Sequence, residues 1–297
     1  LQKNSSGREQ EPEKEAPSTA RDLPVVGIVA QDSELGMETI AEGVALAEKK
    51  GFRTLVLEGG DVHKRMEKML ASGELDAAVT MHYPFPIGVS TIGRVITPGR
   101  GREMFLAATT GTSSADRVEG LVRNAIYGII AAKASGVSDP TVGIANIDGA
   151  RQAEKALREL KQNGYDIKFA ESARADGGAV MRGNDLLAGS ADVMVVDSLT
   201  GNLMMKFFSS YTTGGGYETV GYGYGPGIGE GYDKVILIVS RASGSPVIAG
   251  AVEYASQLVK NDCLKVARNE FEKANQAGLR EILAQLKRRG NAEAHGS

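Results

Sequence analysis

The sequence predicts a three-layer α/β protein built on a mostly parallel sheet. Three observations predict it. Short apolar runs of strand length alternate with apolar stripes at helical spacing through most of the chain. Residues 24–30, the stripe Met37, Ile40, Ala41, Val44 and Ala47, and residues 54–57 read as strand, helix and strand, a unit that pairs its strands in parallel. Residues 191–206, ADVMVVDSLTGNLMMK, read as a buried strand (192–196), a sharp polar turn (197–201) and a helix starting near Asn202.

The remaining elements follow in order. The first 22 residues are polar and charged with no periodicity, and read as a flexible tail or linker before an α/β domain over 23–290. Gly51 stops the first helix. A helix over 62–70 and a strand over 77–81 lead to HYPFPIG (82–88), a loop broken by two prolines. A strand over 105–108 runs into TTGTSS (109–114), where Ser113 is placed to cap a helix carrying Val118, Leu121, Val122, Ala125 and Ile129. Strand 141–145 precedes a helix marked by Ala153, Ala156, Leu157 and Leu160 and stopped by Gly164. Strand 167–170 and a Gly-rich connection over 174–184 lead to the 191–206 stretch. There Thr200 is placed to cap the helix.

Half of GGGYETVGYGYGPGIGEG (214–231) is glycine, yet it holds neither a dinucleotide fingerprint nor a phosphate-loop lysine. Two readings stand for it: a lid closing over something through Tyr217, Tyr222 and Tyr224, or a loose insertion. Strand 234–239 ends at Ser240-Arg241. Ser245-Pro246 opens a helix to about 260 with cap and proline in favoured places. Asn261-Asp262 then caps a last helix with the stripe Leu279, Ile282, Leu283 and Leu286.

Composition narrows the function. The 297 residues are 42% hydrophobic and 24% charged with net charge −3, so no basic field points to nucleic acid or anionic lipid. No apolar run reaches membrane-spanning length, and the opening LQKNSSGREQEPEKEA is no secretory signal. A single cysteine, Cys263, excludes an internal disulfide and fits a reducing, cytoplasmic setting. His63, His82 and His295 are scattered, so neither a metal nor an organic cofactor is expected. No G-x-S-x-G elbow supports a serine triad.

The better chemical case is an anion site at two strand ends. The amides of Thr200, Gly201 and Asn202 open a helix. Asn202 and Lys206, four residues apart, share one face of it. Ser240 offers a hydroxyl and Arg241 a guanidinium that grips phosphate through two N–H groups. Such a site could hold phosphate as a substrate and stabilise the oxyanion formed when it attacks a carbonyl, with Asp197 orienting Asn202 or Lys206. The plainer reading is a capped turn with a solvated lysine and an arginine paired to a surface carboxylate. Cys263 likewise has two readings. It is a small buried hydrophobe, or a thiol activated in the first turn of a helix, with Asp262 opposing the thiolate.

These residues carry a resemblance. DVMVVDSLTGNLMMK (192–206) resembles the D-V-hydrophobic-x-x-D-G-F-x-G-N-x-x-L-K signature of the PlsX family of acyl-phosphate-forming acyltransferases. PTVGIANIDGARQAEKALRELK (140–161) and VGIVAQDSELGMETIAEGVALA (26–47) resemble two further segments of that family. SRASGSPVI (240–248) is similar to the S-R-G-x-S segment of phosphate acetyltransferases. Within this group the chain most resembles the PlsX-related alpha subunits of component C of glycine/sarcosine/betaine reductase. The resemblance implies a two-lobed, isocitrate-dehydrogenase-like fold, a homodimer, and partners in the component C beta subunit and selenoprotein A. It also implies phosphorolysis of an acetyl thioester to acetyl phosphate, with inorganic phosphate as substrate and the thioester carried on Cys263. Two alternatives remain: a stand-alone phosphate acyltransferase using acyl-CoA or acyl-carrier protein, and a non-catalytic subunit that positions a partner.

Overall fold

The computed structural model describes residues 23–175 and 177–295, with side chains through residue 288. The expected tail over 1–22 lies outside the described residues. Strands and helices alternate from the start: β1 (Val25–Val29), α1 (Met37–Lys49), β2 (Arg53–Leu57), α2 (Val62–Ser72) and β3 (Ala77–Thr80). Then come β4 (Ser90–Ile96), β5 (Glu103–Gly111), α3 (Arg117–Ala134), β6 (Thr141–Ala145), α4 (Ala150–Gln162) and β7 (Lys168–Phe169). The chain continues through β8 (Val180–Met181), α5 (Gly183–Ala188), β9 (Val193–Val195), α6 (Ser198–Ser210), β10 (Gly227–Ile228) and β11 (Ile236–Ile238). It closes with α7 (Ser245–Lys260), α8 (Cys263–Gln276) and α9 (Leu279–His295).

The strands form two sheets. One has the order β11-β3-β1-β2 and is wholly parallel. The other runs β10-β4-β5-β9-β6-β7, with β8 also on β6. Its β5, β9, β6, β7 and β8 pairings are parallel, while β4 is antiparallel to both β5 and β10. The mostly parallel α/β expectation therefore holds. A parallel sheet with helices on both faces has buried strands, which is why these strands read as plain apolar runs.

Helix α3 covers one face of the second sheet and α6 the other, with α8 and α9 packed outside α3. The core of the α3 side includes Leu121, Ile126, Tyr127 and Ile130, all buried. The α6 side closes over Met104, Leu106, Met194, Val196 and Met205.

Several local expectations are corrected. The cap of α3 is Asp116, whose carboxylate accepts the Glu119 N–H at 2.7 Å. Ser113 instead donates to Asn124 Oδ1. Helix α6 begins four residues before Asn202, and its cap is Asp197, not Thr200. Gly244 precedes α7 in the cap position, with Ser245 as its first residue. The last helical region is two helices, α8 and α9, broken around Gly278 at φ +87. Strand β4 lies in a stretch that shows no clean strand signal, and β8 lies within the Gly-rich connection.

The α6–β5 contact sets the site. Gly201 lies against the Ala108 carbonyl so closely that a Cβ would occupy the position of that oxygen. Glycine is required there by backbone approach. Gly201→Ala is expected to lower stability by about 2 kcal/mol or more, read by denaturant unfolding. A variant as stable as the parent would mean that α6 does not seat on β5 in this way.

Candidate functional site

The site is built where β5, β9 and β11 end and α6 begins. Asp197 follows β9 and turns its carboxylate back onto the first turn of α6. Its Oδ1 accepts the Thr200 N–H at 2.9 Å, and its Oδ2 accepts the Thr200 hydroxyl at 2.6 Å. Burial opposes the charge on Asp197, but these hydrogen bonds outweigh it and hold the carboxyl below its ordinary value. The Gly201 N–H donates to the Asp197 carbonyl at 2.9 Å. The donors of Thr200 and Gly201 are thus committed within the helix start, and the dipole of α6 already has its own anion. The Asn202 side chain donates to the Thr109 carbonyl at 3.1 Å, fixing α6 to the end of β5.

A pocket of about 100 Å³ lies between the starts of α3 and α6, lined by Ser113, Ser114, Asp116, Asn124, Asp197 and Ser198 among others. Both cap carboxylates line it, so it repels an anion more than a bare pair of helix starts would.

Two turns further along α6 the chemistry changes. The Lys206 ammonium donates to the Tyr224 hydroxyl at 3.3 Å and stands 3.8 Å from Glu218 Oε1. The Tyr224 hydroxyl donates to Glu218 Oε1 at 2.6 Å, and the Ser243 hydroxyl donates to Glu218 Oε2 at 3.1 Å. The Ser240 hydroxyl, at the end of β11, accepts the Ala242 N–H at 3.1 Å. Burial, then the Glu218 charge, raises the Tyr224 pKa far above its ordinary value, so the phenol keeps its proton. Lys206 of α6 and Glu218 of the Gly/Tyr-rich stretch therefore meet at one hydroxyl.

Arg241 stands next in sequence. Its side chain is 60% exposed and its Nε lies 3.5 Å from Glu34 Oε1, while its carbonyl accepts the Glu34 N–H at 2.9 Å. The loop after β1 is thereby tied to the end of β11. The surface carboxylate partner set against the phosphate reading of Arg241 is present, in a pair exposed enough to be weak.

The Gly/Tyr-rich stretch is not a loose insertion. Glu218 N–H donates to the Ala242 carbonyl, Thr219 N–H to the Ser209 carbonyl and Tyr224 N–H to the Ile238 carbonyl. Tyr224 is buried, and the Thr109 hydroxyl donates to its carbonyl at 2.7 Å. Sequence reasoning missed Glu218 and Ser243. A lone glutamate between tyrosines in a glycine run was the available signal.

Cys263 is not brought to this cluster. It is the first residue of α8 and 4% exposed. The neighbouring Asn261 donates to the Ala134 carbonyl, at the carboxyl end of α3. The pocket described above lies at the opposite end of this 18-residue helix, roughly 27 Å of helix away. Burial pushes the thiol up to about 12. Among the described residues no group of three or more His, Cys, Asp or Glu side chains is placed to hold a metal. No helix of the described residues is long and apolar enough to cross a membrane.

Comparison with known proteins agrees with this architecture. Residues 29–294 match the family model described as fatty acid synthesis protein, and the chain belongs to that family. It is 59% identical over 278 residues to the glycine/sarcosine/betaine reductase complex component C subunit alpha of Peptoclostridium acidaminophilum, covering 88% of this chain and 72% of the relative. It is also 26% identical over 196 residues to a phosphate acyltransferase of Bacillus licheniformis and 27% identical over 187 residues to one of a Geobacillus species. The chain spans about half the length of these two acyltransferases, 54% and 52%. The resemblance drawn from 26–47, 140–161 and 192–206 is borne out.

The thiol environment makes a direct prediction. A rise from 9.0 to about 12 cuts the thiolate fraction near pH 8 on the order of a thousandfold. Iodoacetamide is expected to modify Cys263 at least a hundred times more slowly in the folded chain than in urea. Equal rates would show an accessible, activated thiol.

Proposed function

We propose that the chain transfers an acyl group from a thioester to inorganic phosphate, giving an acyl phosphate, and acetyl phosphate in a reductase complex of the glycine type. The observation that carries this reading is the half-exposed Lys206 held on the Tyr224 hydroxyl, in a chain so close to a component C alpha subunit. In this reading phosphate binds against Lys206, whose side chain is half exposed, and against Arg241 once Glu34 yields its weak contact. A phosphate oxygen attacks the thioester carbonyl. The new C–O bond forms as the carbonyl π pair moves onto oxygen, and when the carbonyl re-forms the C–S bond breaks and its electron pair leaves on sulfur as thiolate. In this reading the second Asn202 N–H and the Ser240 hydroxyl are the neutral donors for the transient oxyanion, each aimed donor contributing about 3 kcal/mol. Phosphate is already anionic, so no protein base is required for the attack.

The thioester itself sits on Cys263 by resemblance to component C alpha subunits. Because the thiol is buried, a thioester there serves Lys206 in this reading only after the α7–α8 corner opens. Partners supplied by a reductase complex, a component C beta subunit and a selenoprotein, are the natural agents of that opening in this reading.

In the complex reconstituted with its partner subunits, Lys206→Ala and Arg241→Ala are each expected to raise the phosphate KM about tenfold or more. Unchanged phosphate dependence in both would remove the cluster from the reaction. Cys263→Ala is expected to abolish acetyl phosphate formation from the reductase substrate. Full activity would move the thioester to a partner and favour direct transfer from acyl-CoA or an acyl carrier.

A further inference from the structure

We propose that Tyr224 and Glu218 act as a positioning pair for the phosphate-binding Lys206, an inference that rests on the function proposed above. A phenol has one proton to donate and two lone pairs to offer. Glu218 takes the proton at 2.6 Å. The lone pairs are then turned away from Glu218, and the donor that meets them is the Lys206 ammonium at 3.3 Å. The direction of one hydroxyl therefore ties a cation from α6 to a buried carboxylate of the Gly/Tyr-rich stretch in one arrangement.

Glu218 is itself over-determined. Its side chain is 3% exposed, and its second oxygen accepts the Ser243 hydroxyl at 3.1 Å. Its N–H donates to the Ala242 carbonyl at 2.9 Å, and its carbonyl accepts the Gly244 N–H at 2.8 Å. The next residue, Thr219, donates its N–H to the Ser209 carbonyl at 2.8 Å, on the same helix as Lys206. A buried carboxylate held on both sides has one position, and Tyr224 transmits that position to the lysine. Lys206 has three N–H donors. One meets Tyr224 and one faces Glu218, and with half of its side chain exposed the third is free to meet an incoming anion. A solvated lysine would have to surrender rotamer freedom when phosphate arrives, whereas this one has already done so.

The test is a double-mutant cycle on the full chain, with the Kd for inorganic phosphate measured by titration calorimetry and folding checked by circular dichroism and thermal melting. Tyr224→Phe is expected to weaken phosphate binding about fivefold or more when Lys206 is present, and less than about twofold in a Lys206→Ala background. Equal weakening in both backgrounds would mean that Tyr224 acts only on the structure, and would overturn the inference while leaving phosphate binding at Lys206 intact. No effect of Lys206→Ala on its own would overturn the phosphate reading, and the inference with it. Should Tyr224→Phe not fold, Glu218→Gln replaces it, because it keeps an acceptor for the phenol while removing the charge facing Lys206 and turning an amide N–H2 toward Ser243. Its effect on the Kd is expected to be about threefold or more with Lys206 present and to vanish without it. Equal effects overturn the inference.

Discussion

A buried carboxylate holds this site together. Glu218 is almost wholly removed from water, and an ionised carboxyl in that position is tolerated only with hydrogen-bond donors and an opposite charge close by. Meeting that requirement draws in three separate parts of the chain. Tyr224 comes from the Gly/Tyr-rich stretch, Ser243 from the turn after β11, and Lys206 from α6. One sheet contributes β11 and the other is covered by α6, so the satisfaction of a single side chain joins them. Abundant glycine in 214–231 fits the same role. Backbone must pass close to backbone there, as where a Cβ on Gly225 would meet Leu237 Cα at 2.5 Å.

The second constraint is the seating of α6. Its first turn is pressed onto β5 at Gly201 and closed by Asp197, so the amides that a strand-turn-helix pattern offers to an anion are used internally. The positive end of the helix stabilises its own carboxylate, which burial alone would have pushed the other way. The cations available to an anion are then side chains, Lys206 and Arg241, each already facing a carboxylate. Such a cluster is close to neutral before phosphate arrives. It suits a site that must accept and release an anion more than one that must retain it.

Most of the fold was legible because buried parallel strands and one-sided helices leave strong periodic marks. Residues 141–145 match β6 as it stands, and the stripe from Met37 to Ala47 lies within α1. Strand β4 escaped because Gly93 and Arg94 interrupt its apolar run. Arg94 is nonetheless buried, held by both Glu103 oxygens at 2.8 and 2.7 Å across the β4–β5 pair, and by Gln257 and the Tyr222 ring at 4.3 Å, both distant in sequence. The caps were misplaced for a different reason. Serine, threonine and aspartate are near-equal caps, and Ser113 and Thr200 each stand three residues from the aspartate that does the capping. The spacing D-R-V-E from Asp116 to Glu119 was the available clue. At the site, Lys206, Ser240 and Arg241 were legible as chemistry at strand ends. Glu218 and Ser243 were not, since their role exists only after tertiary contact. The burial of Cys263 was equally invisible, because a helix start says nothing of what packs over it.

The most direct measurement is a crystal structure of the full chain grown or soaked with inorganic phosphate. The account predicts phosphate oxygens within hydrogen-bond distance of Lys206 Nζ and the Arg241 guanidinium, Glu34 displaced, and the Tyr224 hydroxyl still on Glu218. Phosphate seated instead between the starts of α3 and α6, with Lys206 turned to solvent, would contradict it.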